Sequence, residues 1–123
     1  MTGYCANIEE LTLANDYFRQ VLYTAPHSQL VLMALQPGEE IGEEVHGEND
    51  QFFRFESGSG EVVINGVINK VSNGFAVVVP AGATHNVINK SSETMKLYTI
   101  YSPAHHKDGT VNKTKADALA APH

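Results

Sequence analysis

The chain has 123 residues, 42% of them apolar, and a net charge of −6 with only eight Lys and Arg. That length suits one domain with its own core, while the acidic balance and the lack of any basic cluster argue against nucleic acid and weigh against a strongly anionic substrate. No apolar run reaches the roughly 20 residues of a membrane span, and the start, Met1-Thr2-Gly3-Tyr4-Cys5, lacks the pattern of a secretory signal, so the expectation is a soluble, cytoplasmic protein.

Residues 1–15 show no clear period and read as an arm with at most one short strand; Cys5, the single cysteine, reads as buried or idle. Tyr17 to Thr24 is rich in aromatic and branched residues, hence a strand, broken at Ala25-Pro26-His27-Ser28. Gln29 to Gln36 is a continuous apolar run. Its length between turn signals favours a buried strand over a helical turn. After the Pro37-Gly38 turn, Ile41 to His46 reads as a strand and Gly47 to Asp50 as a polar loop. In the next strand, Gln51 to Glu56, parity puts Gln51, Phe53 and Phe55 on one face and Phe52 and Arg54 on the other. The Asn65-Gly66 signal predicts a hairpin between Glu61–Ile64 and Val67–Val71. Phe75 to Val79 is apolar enough to predict cover on both faces. Thr84 to Ile88 and Met95 to Tyr101 complete the strands, and Asp117 to Ala121 suits one helical turn. Eight to ten short strands at close spacing predict an all-β sandwich or barrel over residues 16–103, followed by a polar tail, 104–123, whose end frays.

One constellation stands out. Glu44 and His46 lie two apart and share a strand face; Gln51 opens the next apolar run; His85 follows the Pro80-Ala81-Gly82-Ala83 corner. If the sheet curls, two imidazoles, a carboxylate and an amide oxygen converge, a donor set suited to one divalent Zn, Mn, Fe, Ni or Co. The competing reading is a polar cluster bonded to itself and to water. Phe53 and Phe55 are expected to wall the substrate pocket. Two solvated loop histidines are the simpler reading of His105 and His106, and a core tyrosine that of Tyr101; the alternative makes them weak candidates for acid–base chemistry. His27 and His123 read as idle.

The two halves resemble the paired motifs of the cupin superfamily in its small single-domain form. Gly74, Pro80, Gly82, His85 and Asn89 match the second motif without departure. In the first, Gly38 and Gly58 fit, but Glu44 and His46 stand where the family has two histidines, and Gln51 where it has a glutamate. The resemblance implies a jelly-roll barrel of two antiparallel sheets, a metal in its mouth and a homodimer. More narrowly, the chain looks like small bacterial cupins labelled mannose-6-phosphate isomerase-like. Three functions follow as expectations: a metal-dependent isomerase acting on a small sugar-like carbonyl substrate, an Fe(II) dioxygenase, or a non-catalytic sugar- or metabolite-binding module. No strand places an Arg or Lys plainly on the ligand face, which counts against a phosphorylated substrate.

Overall fold

Alternation along the strands decides which side chains enter the barrel. In the strand Met95–Ser102, Met95, Leu97, Thr99 and Tyr101 are buried while the residues between them are only partly covered. The computed structural model describes residues 2–121, so His123 and the chain end lie outside the described residues. The elements in order are α1 (Ile8–Ala14), β1 (Arg19–Thr24), β2 (Gln29–Leu35), β3 (Glu44–Val45), β4 (Asp50–Ser57), β5 (Gly60–Ile64), β6 (Val67–Val71), β7 (Ala76–Val79), β8 (Thr84–Asn89), β9 (Met95–Ser102), β10 (Val111–Asn112) and α2 (Lys115–Ala120). They form two antiparallel sheets, one ordered β10-β1-β2-β9-β4-β7 and the other β3-β8-β5-β6. This is the all-β barrel that the strand spacing predicts, in the jelly-roll form that the resemblance implies.

The register stacks the inward side chains in layers. Met33, Leu97 and Phe55 lie across from one another on β2, β9 and β4, and so do Val31, Thr99 and Phe53. These two rows, with Val62 and Val87 from the facing sheet, are fully buried. Each buried large apolar side chain contributes about 1.5–3 kcal/mol. One row further toward the barrel mouth the chemistry changes: Gln29, Tyr101 and Gln51 are in register and all buried. Facing them from the second sheet, Glu44 pairs with His85. The polar end of the barrel is thus a continuation of its apolar ladder.

Four expectations require correction. The N-terminal arm contains a helix, not a strand: the Asn7 side chain accepts from the Glu10 N–H and caps α1, whose Thr12 is buried. The strand expected over Ile41–His46 shrinks to β3, because Gly42 adopts φ +107°, outside the extended region, leaving only an isolated Glu40–Ile88 bridge before it. The strand β7 is not covered on both faces: it ends its sheet, and Phe75 and Val78 are 50% and 65% exposed. The tail does not trail away, since β10 pairs with β1 (Arg19 opposite Asn112) before α2 begins. The Asn65-Gly66 turn is as expected, with both residues at positive φ (48° and 81°). Cys5 is exposed and free.

Candidate metal centre

Each element delivers a donor to the mouth. On β3, Val45 points outward and is more than half exposed, so Glu44 and the following His46 both turn inward. The Gly82 N–H donates to the His46 carbonyl, which fixes that residue against the Pro80–Ala83 corner. On β4, Gln51 donates from Nε2 to Thr99 Oγ1 at 3.0 Å, which aims its carbonyl oxygen at His85. On β8, His85 is buried beside Phe53, with ring centroids 6.2 Å apart.

The four expected ligands form two pairs in contact. His46 Nε2 lies 3.5 Å from Glu44 Oε2 and His85 Nε2 lies 3.1 Å from Gln51 Oε1; the two imidazole rings that join the pairs are 5.2 Å apart. The structure adds a fifth donor. Ligand atoms of Glu44, His46 and His105 all fall within 4.8 Å of one another, a cluster that could hold a metal ion. His105 and His106 lie on a loop, as read, but both rings also have protein neighbours. Although His105 is exposed as a residue, its ring is 4.2 Å from that of His46, and His106 Nε2 is 3.2 Å from the Tyr101 hydroxyl. The sequence held one signal for this. A buried glutamine at the edge of an apolar strand needs partners, and Gln29 finds them in the backbone of these two histidines. Its Oε1 accepts from the N–H groups of His105 (3.2 Å) and His106 (2.9 Å), and its Nε2 donates to the His106 carbonyl (2.7 Å). Asn49 Nδ2 donates to the carbonyl of Pro103 on the same segment.

Two observations test whether a cation fits. His46 Nε2 is buried and has no hydrogen-bond partner. Its contact with Glu44 is not an ion pair at neutral pH. Burial above all, then the His105, His85 and Arg19 charges, lower the His46 pKa from 6.5 to about 4. A neutral imidazole with an unused lone pair is what a metal ligand requires. His85 poses the same question. When Nδ1–H donates to the Ala83 carbonyl (3.2 Å), Nε2 presents a lone pair to the Gln51 carbonyl oxygen, and two acceptors face each other. The other tautomer satisfies Gln51 and leaves Ala83 unserved. A cation beside Nε2 and Oε1 resolves the conflict, with Ala83 orienting the ring. The donor set fits a divalent transition metal.

Phe53 and Phe55 do not wall an open pocket. Both are completely buried, and each step of two residues along β4 moves about 7 Å deeper into the barrel. The open cavity, about 370 Å3, is lined instead by Arg19, Glu44, His105, His106, Lys107 and Asn112, with Ala118 of α2 beside them. Tyr101 is buried beneath it. Desolvation first, then the Glu44 carboxylate, push its phenol above the ordinary value, so it stays protonated and does not act as a base.

The cupin domain profile matches residues 31–101. The protein YrkC of Bacillus subtilis is 45% identical over 96% of this chain, which spans 67% of that protein. Protein L612 of Acanthamoeba polyphaga mimivirus is 45% identical over 89% of this chain and 71% of its own length. The crystal structure of a Bacillus halodurans protein superimposes with a TM-score of 0.94 at 43% identity, covering 96% of this chain and 94% of the other. No helix among the described residues is long and apolar enough to cross a membrane. Profile and barrel agree: the chain belongs to the cupin family.

Proposed function

We propose that this cupin is a metal-dependent enzyme that moves a proton next to the carbonyl of a small sugar-like substrate, an isomerase-type reaction. The observation that carries the reading is the convergence of Glu44, His46 and His105 on one point, with His46 Nε2 buried and lacking a hydrogen-bond partner. His85 and Gln51 stand directly behind them. A divalent ion at this point would polarise the carbonyl and stabilise negative charge developing on its oxygen. The protein supplies the rest. Glu44 and the imidazoles would hold the ion, and Gln51 and Ala83 orient His85. His106, on the cavity wall and hydrogen-bonded to Tyr101, takes and returns the proton. The protonated Tyr101 hydroxyl fixes the His106 ring.

The test is solvent deuterium exchange at the carbon next to the carbonyl, followed by NMR on a panel of small aldoses and ketoses with Zn- or Mn-loaded protein. Exchange that disappears in His106→Ala at full metal content supports the assignment; no exchange with any sugar refutes it. His46→Ala and His85→Ala are expected to lose the metal while staying folded. A second reading has its own support. Two histidines and one carboxylate, the Glu44–His46–His105 set, are also the donors of non-haem Fe(II) oxygenases. Oxygen uptake that depends on added Fe(II) would select it.

The expected homodimer is also proposed, and it fits the open seam between the two sheets. There the sheet-end strands β6 and β7, with Phe75 just before β7, expose Val67, Ile68, Phe75 and Val78. A second copy of this chain offers the same apolar strip, so the pairing can close on itself about a two-fold axis.

A further inference from the structure

Among the described residues Arg19 forms no ion pair. It sits on β1 opposite Met33, a fully buried residue, so its side chain enters the barrel. Its Nε is buried and has no hydrogen-bond partner. One terminal nitrogen reaches Asn112 Oδ1 at 3.4 Å, a long contact to a neutral group. The ion pairs among the described residues are His46–Glu44, Arg54–Glu56, Lys90–Glu61 and Lys96–Asp16. Burying an arginine donor without an acceptor is costly. A cost of that kind is ordinarily offset by something that binds there.

The surroundings name the ligand. Arg19 lines the same cavity as Glu44 and His105, with Lys107 and Asn112 beside it. An adjoining hollow of about 270 Å3 shares Arg19 and Glu44 and adds Lys115 and Glu43. The guanidinium carbon lies 5.2 Å from the centre of the Phe18 ring, which gives the fork an apolar backing. The Ala118 side chain on α2 is small and leaves the space open. On a chain of net charge −6, the first cavity sets Arg19 and Lys107 against a single carboxylate, Glu44, which the proposed ion would engage. A planar guanidinium with unused donors matches a carboxylate.

We propose that Arg19 is the carboxylate-binding end of the cavity, so that the ligand is a small hydroxy or oxo acid, such as a sugar acid, with its oxygen end at the metal and its acid end on Arg19. The inference deepens the reading of the metal centre and rests on it for the oxygen end alone. It replaces the expectation, drawn from the scarcity of Lys and Arg, that anions are unwelcome.

Isothermal titration of the zinc-loaded protein with malate and with its neutral diamide tests the assignment. Malate binds in preference to the diamide. Arg19→Gln weakens malate by roughly 10- to 100-fold, the usual worth of a charge-assisted pair. Arg19→Lys restores part of the loss, and zinc stoichiometry and diamide binding are unchanged in both variants. Equal malate affinity in wild type and Arg19→Gln, or no preference for malate over the diamide in wild type, overturns the proposal. The zinc-free protein separates the two readings. If wild type takes up no zinc, the metal centre fails. Arg19-dependent malate binding would then still uphold the acid subsite, and its absence would sink that too.

Discussion

Replacing Gln29 by Leu keeps the volume of a fully buried residue and removes its polar end. Four hydrogen bonds go: Nε2 to Thr24 Oγ1 and to the His106 carbonyl, and the two that Oε1 accepts from the His105 and His106 N–H groups. At about 1 kcal/mol each, the gross loss is ~4 kcal/mol. The histidine segment is partly exposed, so water recovers part of it and the net cost of docking that segment is ~2 kcal/mol. Because His105 belongs to the cluster with Glu44 and His46, this cost passes to the metal. A loss of ~2 kcal/mol is about 30-fold in zinc affinity, within the range for groups that orient ligands. Competition against a chromophoric chelator measures it. In a His105→Ala background the same change should cost nothing further, because the two act through one path. A folded Gln29→Leu variant that binds zinc within twofold of wild type would refute the view that this glutamine positions the histidines.

A methyl group added at Gly60 would sit 2.1 Å from the Ile88 carbonyl oxygen and 2.5 Å from Met95 Cε. The methionine can yield but the carbonyl cannot without opening the β5–β8 ladder, so Gly60→Ala should cost about 3 kcal/mol, read as a lower denaturant midpoint. Metal-free protein should lose stability as pH falls from 6.5 toward 4. Across that window the unfolded chain protonates His46 while the folded chain keeps it neutral, a contribution of about 1–3 kcal/mol that is fully present above pH 6.5. Thermal melts of His46→Gln, which lacks this dependence, provide the control; identical pH profiles would refute it. Val78→Glu, placing a charge on the exposed strip, should convert a dimer to monomers in sedimentation equilibrium, whereas unchanged mass would move the interface elsewhere.

Much of the barrel was legible because its signals are local. Parity along β4 and β9 sorts buried from half-covered side chains, and Asn-Gly dictates its own turn. The shortfalls share another cause. Nothing near Phe75 and Val78 in sequence tells that β7 ends its sheet. Whether an apolar strand is covered depends on partners far along the chain. Arg19 was missed although it alternates with the buried Val21, because its face mattered only once β10 and α2 returned beside it. His105 and His106 carry no pattern, and their place is set by a glutamine 76 and 77 residues away. The helix α1 did have a readable cap, Asn7 with Glu10, which the weak apolar period of the arm concealed.

The polar row at the mouth is assembled from both sheets and from the segment that follows β9. Glu44 and His85 belong to one sheet, Gln51 and Tyr101 to the other, and His105 to neither. An ion gripped by all three would act as a rivet through separate plates, so that loading and rigidity become one event. Amide hydrogens around Val45, Gln51 and His105 would then slow their exchange together on metal uptake, while those beneath the Phe55–Leu97 layer would scarcely register it.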